Sequence, residues 1–494
     1  MVFNSIGFLI FFPIVLAVYY IIPKKIKPVW LLAASFFFYA SWNLKYTSLL
    51  IVSILLTYFG GLIISRTEDR KLKKATLITT VVLNLGILAV FKYLDLIFHS
   101  IGTIVSMFGG QEPVNPLNLL LPVGISFYTF QAIGYTVDVY RGTAEAERNP
   151  IRYALFVSFF PQLVAGPIER TGNLLSQIRR MEKEKITSVD NLVRGAYTML
   201  YGFILKVIIA DRAAVYVNLA YSDSWIYFTG LEIFFAAVLF SLQIYCDFAG
   251  YTYIAIGAAR TMGIEIRDNF RAPYLSRSIR EFWDRWHISL TSWFRDYLYF
   301  PLGGSRKGKV RKYVNILIVF LISGLWHGAA YHFVFWGLLH GIFRVLGELT
   351  EGLRAKIAEK LKYDRNTAAH KAFQVVLTFF NVTVFWMFFR ADSVNQAFVM
   401  LGRMFTGFGL WQFTDGSLLN KGVDGLEMYV LVVFVALMVI VDVCIRKKKD
   451  VIGFLMKQNI WFNFLLFLAG ILAVVIYGAY GGNYNASDFI YFQF

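Results

Sequence analysis

Long apolar runs alternate with short polar ones along most of this chain. Those near 20 residues match a helix crossing a bilayer. The runs fall at residues 8–22, 30–42, 46–64, 76–98, 119–140, 192–210, 227–246, 313–328, 333–349, 372–389, 428–445 and 460–480. Several are short, and 30–42 fits a tilted or partial span. Runs 151–167 and 250–264 are apolar but broken by Pro or Gly. Such segments read as re-entrant or in-plane, which is tolerated where protein or a wet cavity satisfies the backbone. The pattern predicts an all-α polytopic membrane protein of about 11–12 spans. No internal repeat or low-complexity linker divides it, so 1–494 reads as one domain. Within it lie N-terminal spans (1–140), a core with cytoplasmic helices (141–349), C-terminal spans (350–480) and an aromatic tail (481–494).

Two polar stretches are too long for turns. Residues 168–190 carry Arg179, Arg180 and a Glu/Lys series, and read as a cytoplasmic helix. Residues 260–312 hold twelve basic residues against five acidic ones. Within this second stretch Ile279, Phe282, Trp283, Trp286, Leu290, Trp293 and Phe294 recur at helical spacing, an amphipathic stripe suited to the membrane interface.

Composition agrees with a membrane protein. Hydrophobic residues make up 57% of the 494 and charged ones 16%, against about 45–50% and about 25% in soluble domains. A soluble enzyme, a disordered chain and a disulfide scaffold are excluded on that ground. The net charge of +17 is the excess Lys and Arg of cytoplasmic loops, and no nucleic-acid partner is expected. Lys24, Lys25 and Lys27, the cluster from Arg66 to Lys74, and Arg446 to Lys449 all fall on one side by alternation. That puts both termini outside the cell membrane. The apolar N-terminal run has no basic leader or small-residue cleavage pattern, so it reads as a retained span. Cys246 and Cys444 form no metal or disulfide pattern.

Of six histidines, His99 and His370 read as interfacial. His327, in Ser323-Gly-Leu-Trp-His-Gly328, sits about 14 residues into a span, roughly 20 Å deep. An ionisable group at that depth faces an interior cavity and has a function, or else is a buried, hydrogen-bonded structural residue; position alone leaves both open. His287 lies on the amphipathic stripe, and by itself reads as interfacial. His332 and His340 are not spaced with His327 as metal ligands, and no metal site is expected. Gly303-Gly-Ser-Arg-Lys-Gly-Lys309 could bind phosphates, although positive-inside loops look alike. No nucleophile elbow, P-loop or dinucleotide fingerprint is present. The tail Asp488-Phe-Ile-Tyr-Phe-Gln-Phe494 is either an aromatic anchor or a segment presenting the Tyr491 hydroxyl.

The block Asn269-Phe-Arg-Ala-Pro-Tyr-Leu-Ser-Arg-Ser-Ile-Arg-Glu-Phe-Trp-Asp-Arg-Trp-His-Ile-Ser-Leu-Thr-Ser-Trp-Phe-Arg-Asp-Tyr-Leu-Tyr-Phe-Pro-Leu-Gly-Gly304 resembles the membrane-bound O-acyltransferase (MBOAT) family, and most of all its alginate and wall-polysaccharide O-acetylation branch. Gln243-Ile-Tyr-Cys-Asp-Phe-Ala-Gly-Tyr251, Leu121-Pro-Val-Gly-Ile-Ser-Phe-Tyr-Thr-Phe-Gln131, Phe160-Pro-Gln-Leu-Val-Ala-Gly-Pro167, Ser323 to Gly328 and Phe385-Trp-Met-Phe-Phe-Arg-Ala-Asp392 fit as well, in family order over roughly residues 1–400. The resemblance implies a helical bundle around a through-membrane tunnel, with His327 as the catalytic histidine and His287 as a second functional one. It also implies acyl transfer from a cytoplasmic thioester, acetyl-CoA, with no permanently bound cofactor. The nucleotide end of that donor is expected on the basic surface, at Arg295, Arg306, Lys307 and Lys309.

The D-alanyl-transferring branch shares Trp293-Phe-Arg-Asp296 but not the Pro301-Leu-Gly-Gly304 continuation, which favours acetyl transfer. D-alanylation of teichoic acid from a carrier protein is the alternative enzyme, and a polysaccharide transporter the alternative from another class. Tyr253 stands where relatives often carry an acidic residue. Wall-acylation systems with a similar aromatic tail imply that Tyr491 relays the acyl group. The implied partners are an extracytoplasmic serine (SGNH-type) acetyltransferase, a polysaccharide acceptor and membrane lipid.

Overall fold

In a computed structural model, described over residues 1–110, 119–164, 166–419, 421–480 and 489–490, every regular element is a helix. Eight helices among these residues are long and apolar enough to cross a membrane. They are Leu44–Arg66, Arg70–Met107, Val189–Tyr221, Gly230–Thr261, Lys309–His327, Ala368–Arg390, Gly425–Arg446 and Ile460–Tyr477. Tyr331–Leu349 makes a ninth if joined to Glu351–Lys360 across a 46° bend. The protein is a multi-pass membrane protein. The gap to the expected 11–12 comes from runs that fold as shorter helices: Ile6–Ile21, Lys27–Ala40 and Ile125–Arg141 have 16, 14 and 17 residues.

The chain forms two compact units, each assembled from separated segments. One comprises residues 1–199, 252–267 and 486–492. Three of its helices start on polar caps: Ser5 accepts from Phe8 N–H at 3.2 Å, Asn43 from Lys45 at 3.0 Å and Asp69 from Lys71 at 2.8 Å. These side chains satisfy amides that the first helical turn leaves without partners. Gly124 takes φ +75°, and a Cβ there would lie 2.5 Å from the Leu163 carbonyl oxygen. Only glycine lets that turn sit against the 160–163 backbone. The run 151–167 breaks, as its prolines predict, into two buried pieces, Pro150–Ser158 and Phe160–Leu163.

The run 250–264 does not break. It belongs to one helix of 32 residues, Gly230–Thr261. Gly250 and Gly257 are places of close approach: a Cβ on Gly250 would meet the Gly202 oxygen at 2.8 Å, and one on Gly257 the Gly195 oxygen at 2.5 Å. Small residues at helix crossings bring backbones together inside a membrane. The 168–190 stretch is not one helix: it holds the short pieces Thr171–Leu175 and Ser176–Met181, and its last two residues open the Val189–Phe203 helix.

The other unit comprises residues 200–251, 268–485 and 493–494. A buried Lys206, on a π-helical turn at Ile204–Ala210, contacts Asp247 at 2.7 Å and Asp211 at 2.8 Å. An ammonium this deep persists because two carboxylates compensate its lost hydration. The amphipathic stripe of 279–294 is two helices, Ile279–Trp283 and Ile288–Phe294, with a break at residues 284–287. That break positions the site.

Candidate active site

His327 ends the Lys309–His327 helix, Gly328 turns extended, and Tyr331–Leu349 runs back alongside. The hairpin is tight because its facing residues are glycines. A Cβ on Gly324 would lie 2.3 Å from the Phe333 oxygen, and one on Gly337 2.3 Å from the Phe320 oxygen. With the helix starting at Lys309, His327 is its nineteenth residue, roughly 27 Å along and at the hairpin's apex rather than midway along a span. Its ring is 4% exposed and meets Trp326, Trp336 and Phe389 edge to face at centroid distances of 4.9, 5.0 and 5.6 Å.

His287 sits at the break of the stripe with φ +45° and ψ +51°. A left-handed conformation in a side-chain-bearing residue costs of order 1 kcal/mol or more and recurs at functional sites. Asn269 holds it there. The Asn269 carbonyl oxygen accepts from Ile288 N–H at 3.0 Å, and its side-chain oxygen accepts from Ser289 N–H at 3.2 Å. Phe248 packs on the imidazole at 4.7 Å, and the residue is fully buried. Burial out of water lowers its pKa from 6.5 to about 3, so the ring is neutral at physiological pH. Reading His287 as interfacial from its stripe misses this, because the left-handed turn aims it off the stripe.

The two histidines, forty residues apart in sequence, meet with ring centroids 6.4 Å apart at 64°. Trp326 touches both, at 4.9 Å from His327 and 5.8 Å from His287. The 385–392 motif contributes Phe389 to His327, and Trp386, which stacks on Trp336 at 5.4 Å. Two imidazoles at this separation can flank one reacting group, a proton acceptor on one side and a hydrogen-bond donor on the other.

A cavity of about 460 Å³ approaches the pair, within the range of small-ligand sites. Arg280, Arg295, Lys312 and Arg344 line it along with one acid, Asp284. Trp283, Leu290, Ile316, Phe320 and Ser323 line it too. Ser323 and His327, four residues apart on one helix, share a face. The cavity lining therefore comes within one helical turn of the catalytic candidate.

Residues 147–390 match the model of the MBOAT, membrane-bound O-acyltransferase family. The chain is 38% identical over 443 residues to the Pseudomonas putida protein named "Probable alginate O-acetylase AlgI", covering 88% of this chain and 85% of that protein. The chain belongs to the membrane-bound O-acyltransferase family. It is also 32% identical to the peptidoglycan O-acetyltransferase of Helicobacter pylori, over 85% of this chain and 83% of that one. Its similarity to the teichoic acid D-alanyltransferase of Bacillus subtilis is 31% over 46% of this chain and 59% of that one.

This MBOAT chain is thus an acyltransferase, and the family match spans both histidines and the cavity. Of the four expected donor-binding residues, Arg295 lines the cavity and pairs with Asp296 at 3.0 Å. Arg306, Lys307 and Lys309 lie exposed around the glycine turn and do not line it. Arg280, Lys312 and Arg344 do, and sequence reasoning did not single them out. Arg280 does fall one residue after Ile279 of the apolar stripe, and Lys312 one turn into the spanning helix, signals of a basic rim on an apolar slot. Asn269 was likewise missed, although it opens the longest MBOAT motif. Tyr491 falls outside the described residues; two residues upstream, Phe489 is 0% and Ile490 2% exposed.

Proposed function

We propose that this chain is a membrane O-acetyltransferase of a bacterial cytoplasmic membrane. In this reading it takes acetyl from acetyl-CoA on the cytoplasmic side and serves O-acetylation of an extracytoplasmic wall polymer or exopolysaccharide. The observation that carries this is the cationic cavity whose lining includes Ser323, one turn from a histidine pair 6.4 Å apart. Four cations suit the phosphates of the donor, and the apolar inner walls suit its uncharged arm. The names of the alginate and peptidoglycan relatives, matched over most of both chains, support a polysaccharide acceptor. Much lower coverage of the D-alanyl relative favours acetyl over D-alanyl.

In this mechanism the acceptor oxygen attacks the thioester carbonyl carbon while His327 takes the hydroxyl proton. The C–O bond forms, the C–S bond breaks, and His327 returns the proton to the departing thiolate. Neutral His287 donates an N–H to the carbonyl oxygen as negative charge develops there. Basic loops lie in the cytoplasm and both termini outside. The acceptor is the Tyr491 phenol, whose ordinary acidity near 10 needs a base to make it a competent nucleophile. An SGNH-type partner outside then takes the acetyl from Tyr491 to the polysaccharide. Burial of Phe489 and Ile490 supports a seated tail over a lipid-facing anchor.

The test supplies labelled acetyl-CoA, or a D-alanyl carrier protein, to the purified chain in vesicles. Acetyl label on the Tyr491 peptide, absent from Tyr491→Phe, is expected. Label only from the D-alanyl carrier would replace acetyl by D-alanyl, and unchanged wall acetate in cells carrying Tyr491→Phe would remove the relay.

A further inference from the structure

We propose that a second cavity binds a phosphate-bearing anion, at a site distinct from the one that holds the acyl donor. It measures about 570 Å³ and lies among the Ile279–Trp283, Tyr331–Leu349, Glu351–Lys360 and Ala368–Arg390 helices. Five arginines line it: Arg277, Arg280, Arg344, Arg354 and Arg365. Two acids face them. Glu348 takes Arg344 at 3.3 Å and also Lys312, while Glu351 takes Arg354 at 3.0 Å and Arg365 at 2.9 Å.

Those pairs account for three of the guanidinium groups. Arg277 and Arg280 form no ion pair among the described residues, so the lining holds three positive charges in excess. Like charges around a concave wall repel, and an anion bound there relieves them. Guanidinium groups present a planar fork that fits phosphate oxygens two at a time, and are less strongly hydrated than ammonium groups. Ile279, Phe343 and Leu377 supply apolar wall beside the charges, which suits a ligand carrying hydrocarbon or a ring next to its phosphate. The shared chemistry is a phosphate group, carried either by an anionic lipid headgroup or by a soluble phosphate compound. Arg280 and Arg344 line this cavity and the donor cavity alike, so an anion here sets the position of two residues that line the donor cavity.

The experiment uses the full chain purified in detergent and the variants Arg277→Gln with Arg365→Gln, and Arg277→Lys with Arg365→Lys. These residues line the second cavity and not the donor cavity. One arm titrates inorganic pyrophosphate by calorimetry. The other measures by native mass spectrometry how much phosphatidylglycerol, against phosphatidylcholine, stays bound from mixed vesicles. Saturable binding in at least one arm is expected, weakened about tenfold in the Gln variant and less in the Lys variant. Pyrophosphate binding alone assigns a soluble phosphate, and phosphatidylglycerol retention alone a headgroup. If the Gln variant does not fold, the Lys variant carries the comparison, since it keeps charge and loses the fork. No binding in either arm, or equal binding by wild type and the folded variants, overturns the site. Acyl transfer is not read in this test, so its failure leaves the proposed reaction standing.

Discussion

His287 and His327 face one another at 6.4 Å between ring centroids, one held at a left-handed break between short helices and the other at the tip of a glycine-packed hairpin. Neither ring is carried by a flexible loop end, and both are walled by aromatic side chains. Such a pair fits the proposed reaction, which moves a proton and gathers charge on a carbonyl oxygen.

The first prediction separates the two rings. His327→Ala should lower acetyl transfer by about 10²–10⁴-fold, the range for loss of a general base. His287→Gln, which keeps an N–H donor, should retain more activity than His287→Ala. Equal losses for the Gln and Ala forms in single-turnover assays would remove the donor role from His287.

Asn269→Ala takes away the oxygen that receives Ser289 N–H. A buried amide left without a partner costs about 1–3 kcal/mol, and the left-handed turn at His287 keeps only the Asn269 backbone tether to Ile288 N–H. A lower thermal midpoint with a fall in kcat larger than in donor affinity is expected. Loss of affinity with kcat intact would place Asn269 in donor binding instead.

Ser323 lines the cavity one helical turn before His327. Ser323→Phe should fill that part of it and abolish transfer from acetyl-CoA, while binding of the nucleotide portion alone at the basic side chains persists. Full transfer by this variant would mean that the donor reaches His327 by another path.

The acidity of His287 fixes a sign for the response to pH. Burial holds the folded ring neutral down to about pH 3, whereas an exposed imidazole takes up its proton near 6.5. Between those values the unfolded chain binds one proton more, so the fold loses stability as pH falls, by about 1.4 kcal/mol per pH unit from this group. Above pH 6.5 the contribution is flat. Thermal midpoints measured from pH 7.5 to 4.5 should fall more steeply for the wild type than for His287→Asn, and parallel slopes would contradict it.

Much of this site was legible along the chain. His327 stood out because an imidazole deep in an apolar run needs a reason, and the motif around Trp286 and His287 drew the second ring into the same family pattern. The basic cavity was less legible. A glycine turn with Arg306, Lys307 and Lys309 looks like a phosphate loop, yet the cavity takes Arg280 and Arg344 from helices 64 residues apart in sequence. Helical spacing over 279–294 predicted one amphipathic helix, because periodicity does not register a single left-handed residue.

Hydrophobic runs of bilayer length, basic clusters between them and ordered motifs were enough to determine that this is a helical membrane acyltransferase, and they pointed to His287 and His327 as its candidate site. Those properties reside in local composition and in short-range patterns, which a linear reading captures. Tertiary structure alone decided that the histidines meet, that the 230–261 helix runs unbroken through its glycines, and that Asn269 ties the turn at His287. Each of those depends on which backbones approach closely and which polar groups satisfy one another across long separations, and glycine contacts and buried hydrogen bonds leave no periodic trace in one sequence.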